Sequence, residues 1–165
     1  VFYGYFGITG KYLALVSGIA IPLLVEFAMI SLLPKKNQRK WFLLSKLKTA
    51  AACIALTAVY FTVTSEEKAL PALLLVPSLN SLVGFTLACG VLGVRFGKSM
   101  TKFFYLLPVS VLVMIPAAIL QVGKISFHPW FDRNDASHIL LILSLFLYFY
   151  AVEGYRKHIQ KESIS

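Results

Sequence analysis

Asp135 and His138 stand three residues apart where a polar cluster meets a long uncharged run, and His128 and Asp132 lie just before them. On a helix starting near Asn134, Asp135 and His138 would share one face. Two histidines and two carboxylates could ligate a divalent metal or work as an acid and base pair. The competing reading is structural. Asn134 or Asp135 makes a good N-cap, an acidic residue complements a helix N-terminus, and Trp130 and Phe131 suit an interfacial aromatic belt.

Other candidate residues lie inside apolar runs. Ala14, Gly18, Pro22 and Glu26 recur every four residues and fall on one helical stripe. Pro22 removes the amide partner of the Gly18 carbonyl, and the small residues permit close helix contact. Glu26 lies about 10 Å from the end of its run, where a lipid-facing carboxylate is costly, so it must face the bundle interior or be protonated. It is either a proton, cation or ligand site or a hydrogen-bonded structural glutamate. Cys53, Thr57, Tyr60 and Thr64 form a second stripe, and Asn80, Gly84 and Ala88 a third. Asn80, beside Ser78 and Ser81 and just after Pro77, marks a place where a kink could open a polar pocket. Pro108 and Pro116 read as kinks in a further run that carries Gln121 near its end.

The elements that position these residues are membrane spans. Of the 165 residues 58% are hydrophobic and 14% charged, with a mean hydropathy of +0.77, well outside soluble globular composition. The apolar runs are continuous and near twice the roughly ten residues of a barrel strand, which excludes a transmembrane barrel. The expected architecture is all-α, a single membrane domain over 1–165 with five spans at about 12–33, 48–64, 70–92, 103–122 and 136–155. Residues 1–11, with Phe2, Tyr3, Tyr5 and Phe6, read as an interfacial lead-in or the tail of an upstream helix. The start at Val1 suggests a processed precursor, an engineered fragment or a longer protein.

The net charge of +9 reports topology. Segments 35–48, 95–102 and 156–161 hold 12 of the 16 lysines and arginines, leaving Lys11, Lys68, Lys124 and Arg133 for the opposite side. Cytoplasmic loops retain positive charge, so the N-terminus is expected outside and the C-terminus in the cytoplasm. Basic residues in short loops are no nucleic-acid surface. Cys53 and Cys89 fall in apolar runs and make no disulfide framework or CxxC motif.

The pattern from Asn80 through Gly84 to Arg95, followed by WFDRNDASH (130–138) and a final apolar helix, resembles an uncharacterised family of multi-pass membrane proteins. That family is similar in outline to the superfamily of alkaline ceramidases and adiponectin-receptor-like proteins. The resemblance implies that the five spans could be the last five of seven. It carries no zinc site over, because the superfamily's paired histidines in its final helix have no match here and His128 and His158 fall on opposite sides of the membrane. No cofactor is expected.

The first functional expectation is a non-catalytic membrane module with a polar pocket in its outer half, lined by Asn80, Tyr60, Gln121, Asp135 and His138, with Glu26 as a further ligand-site residue. It would bind a lipid-like ligand or a partner helix. The alternatives are a membrane-embedded hydrolase of a lipid amide or ester, with His138 and Asp135 as base and orienting partner, and an accessory subunit of a larger membrane complex.

Overall fold

The computed structural model describes residues 2–62, 66–123, 125–128 and 130–163. Its elements are α1 (Phe2–Ser31), α2 (Lys35–Thr62), α3 (Glu66–Phe85), a π-helical stretch Thr86–Leu92, α4 (Gly93–Ser99), a 3₁₀ turn Lys102–Tyr105, α5 (Leu106–Val122) and α6 (Arg133–Glu162). Four helical stretches among the described residues are long and apolar enough to cross a membrane: Lys35–Thr62, Leu75–Ser99, Lys102–Leu120 and Asp135–Glu162. A shorter apolar helix covers Leu15–Ser31. The chain divides into two compact units, Val1–Ala88 and Cys89–Ser165.

In the first unit, α1 extends back to Phe2 where the sequence suggested an interfacial lead-in; the side chains of residues 1–11 lie outside those described. The helix stops ahead of Pro34, whose ring disfavours a helical conformation at the preceding residue. Leu32 and Leu33 donate to the carbonyls of Met29 and Ile30, tightening the last turn. Gln38 on α2 then donates through Nε2 to the carbonyls of Ser31 (3.0 Å) and Leu33 (2.7 Å). Carbonyls left open at the α1 C-terminus are thus met by the next helix.

Helix α2 begins at Lys35, well before the 48 that the apolar run suggested. Lysine, arginine, glutamine and leucine are good helix formers, so the basic segment 35–47 continues the helix although it is not apolar. Edge-to-face packing of Phe27 on Phe42, with centroids 5.0 Å apart, seats α2 on α1.

In the second unit, α5 packs along α6. Ser144 donates through Oγ to the Ser110 carbonyl at 3.0 Å, and Ser110 donates to the Leu107 carbonyl at 2.7 Å. Phe104 packs against Phe96 (ring centroids 5.5 Å apart) and Tyr155 (4.9 Å), each at a tilt. Gly154 lets the Phe103 ring lie against α6 where any Cβ would collide with it.

Candidate functional site

The stripe on α1 meets α3. Because Pro22 has no N–H to offer, the Gly18 carbonyl is free for other donors. It accepts from Asn80 Nδ2 and Ser81 Oγ, each at 3.0 Å. Asn80 therefore bridges two helices with its amide group, buried where an unpartnered amide would be costly.

The carbonyl end of the same Asn80 side chain faces Lys48. Lys48 Nζ donates to Asn80 Oδ1 at 2.9 Å and reaches the Asn80 backbone carbonyl at 3.4 Å. It also ion-pairs with Glu26 Oε1 at 2.6 Å, the two side chains being only 14% and 3% exposed. Ser45, one helical turn before Lys48, donates its hydroxyl to Glu26 Oε2. Oε1 is engaged by the ammonium even though no angularly ideal hydrogen bond reaches it, and at 2.6 Å the Coulombic attraction dominates. Gly84 completes the cradle: a Cβ there would run into Glu26 Oε1, Pro22 Cβ (2.8 Å) and Lys48 Nζ (3.1 Å).

Of the residues singled out from sequence, Glu26 and Asn80 are thus brought together through Lys48. Tyr60 is not part of this cluster. It lies roughly 18 Å further along α2 at about 1.5 Å per residue, exposed and edge-to-face with Phe61 at 5.4 Å. The side chains of Gln121 and Asn134 lie outside those described. The sequence pattern does not single out Ser45, and it presents Lys48 as one of the basic residues that report topology. A signal existed, since a deep carboxylate on α1 requires a counter-charge and Lys48 is the first residue of the apolar run that follows.

Asp135 and His138 belong to the second unit, at the start of α6. The capping residue is Asp132, one helical position before Arg133, instead of Asn134 or Asp135. Asp135 N donates to Asp132 Oδ1 and Asp132 N to Asp135 Oδ2, both at 3.1 Å. This is a reciprocal capping box with an aspartate in the third position. His138 is exposed one turn into the helix. His128 accepts through Nδ1 from the Trp130 amide at 3.2 Å and pairs its backbone with Phe131. Ser126, Phe127, His128 and Asp132 line an open cleft of about 480 Å³. Among the described residues no three histidines, cysteines or acids converge as a metal site would require.

Apolar helices of spanning length, with a charged group buried between them, define a multi-pass helical membrane protein. The chain belongs to a family of unknown function, DUF6962, whose profile matches residues 1–157. No curated protein and no solved structure matches it. The family match shows no link to the alkaline ceramidases or the adiponectin-receptor-like proteins.

Proposed function

We propose that the protein is a non-catalytic membrane module that binds a lipid-like ligand or a partner helix, with Glu26, Ser45, Lys48 and Asn80 as the polar element of recognition. The observation that carries this reading is the closure of the network. Both Glu26 oxygens, the Lys48 ammonium and both ends of the Asn80 amide are engaged. Such a site offers no free acid, base or nucleophile. It does offer polar groups to which a hydroxyl or amide group of a ligand could bond in place of a partner it displaces. Five crossings, with Leu15–Ser31 as the first, an outside N-terminus and a cytoplasmic C-terminus complete the proposal, supported by the 12 of 16 basic residues in alternate loops.

The test replaces exposed Leu79, beside Asn80, with a photo-crosslinking amino acid and compares lipids co-purified with the wild type and with Asn80→Ala. The expected result is a defined crosslinked lipid or partner chain in the wild type, reduced in Asn80→Ala. Crosslinks to bulk lipid alone, with an unchanged lipid complement, would sink the reading.

A further inference from the structure

The N-terminal part of α2 has two faces with different chemistry. Phe42, Ser45 and Lys48 turn toward the other helices of the first unit, as the Phe27 contact and the Glu26 bonds require. At about 100° per residue, Lys36, Lys40, Leu43, Leu44 and Leu47 occupy the opposite arc, with Arg39 at its edge. All six are exposed. Along this one arc, cations give way to leucines within a single turn.

Among the described residues the positive charge there has no ion-pair partner. No aspartate or glutamate occurs between Glu26 and Glu66, the first turn of α2 holds no acidic residue, and among the described residues neither Lys36, Arg39 nor Lys40 enters an ion pair. These cations also sit at the positive end of the helix dipole, where an anion is favoured and a cation is not. The surface is held in place, because Gln38 ties the same turn to the end of α1. A partner must therefore be anionic at residues 36–40 and apolar along Leu43, Leu44 and Leu47, with exposed Lys46 beside Arg39 at the edge of the arc.

We propose that this arc binds anionic glycerophospholipid, with the phosphate on Lys36, Arg39 and Lys40 and the acyl chains along Leu43, Leu44 and Leu47. The order of charge and hydrocarbon along the helix matches that of one lipid molecule from headgroup to tail. An acidic protein segment would meet the cations and leave the leucines uncovered. The surface is separate from the Glu26 network, which occupies the other side of α2.

Native mass spectrometry of the full chain, released from nanodiscs of phosphatidylcholine mixed with phosphatidylglycerol, reads the preference directly. The wild type is expected to retain phosphatidylglycerol selectively. The preference should fall about fivefold for each cation removed in the series Lys36→Gln, Arg39→Gln, Lys40→Gln, and Lys98→Gln should leave it unchanged. Raising salt should weaken the preference of the wild type itself, a measurement independent of how the variants fold or insert. Equal retention of the two lipids by the wild type, or a triple variant that keeps the full preference, would overturn the proposal. Inorganic phosphate that displaces phosphatidylglycerol would overturn it too, by showing a site for free phosphate.

Discussion

The first three helices and the last two are held together by different chemistry. In the first unit a carboxylate, an ammonium and an amide bind α1, α2 and α3 to one another, and Gly84 brings α3 against them. In the second, a hydroxyl bond from Ser144 joins α6 to α5, buried Ala117 and Ala151 leave room for close packing, and the tilted rings of Phe104 and Tyr155 join α6 to the turn before α5. Apolar helices in lipid gain little from hydrophobic burial against each other, so close packing and polar bonds must supply the association. The second unit relies on packing, which tolerates loss piecemeal. The first relies on a coupled network, in which removing one member leaves another buried without compensation.

That contrast fixes the largest expected effect. Glu26→Leu strands the Lys48 ammonium between helices and should cost about 3–5 kcal/mol, whereas Glu26→Leu combined with Lys48→Met should recover most of that loss. Unfolding of the purified protein in detergent mixtures measures both, and the double-mutant cycle gives the coupling. A single variant within about 1 kcal/mol of wild type would erase the distinction between the units. Gly154→Val is the counterpart in the second unit. Its side chain would press on the Phe103 ring, an overpacking worth about 1–3 kcal/mol. Phe103→Ala should relieve part of it, since the obstacle is a ring that can move and not a charge that cannot be dissolved in hydrocarbon.

Much of the first unit was legible in the sequence. Pro22 identified the Gly18 carbonyl as an acceptor in need of a donor, and the neighbourhood of Asn80 and Ser81 supplied two. Glu26 announced itself by depth alone. What stayed hidden was the pairing across helices: register between α1 and α2 depends on the short turn at Pro34 and on Gln38, and no periodicity within either helix encodes it. The start of α2 was misplaced because apolarity marks where lipid begins, while the helix begins where propensity allows. Thr86–Leu92 gave no warning of its π-helical winding, which has no compositional signature. At α6, the residue types of a capping box were visible, but the choice of Asp132 over Asn134 depends on where the helix starts. Asp132→Ala should cost about 1 kcal/mol, seen as faster amide exchange confined to the first turn of α6.

The smallest effect tests the packing side of the comparison most directly. Ser144 donates a side-chain bond from α6 to α5, and its hydroxyl is buried against the Ser110 carbonyl. If that bond were the main link, Ser144→Ala would separate the helices. Interhelical hydrogen bonds in a membrane bundle average only about 0.6 kcal/mol, however, because the same polar groups also find partners in the unfolded chain within the membrane. Ser144→Ala should therefore shift unfolding by about that amount and leave α5 and α6 paired, as an unchanged crosslinking yield between cysteines introduced on the two helices would show. A loss comparable to that of Glu26→Leu would mean that the second unit, too, is held by a polar bond.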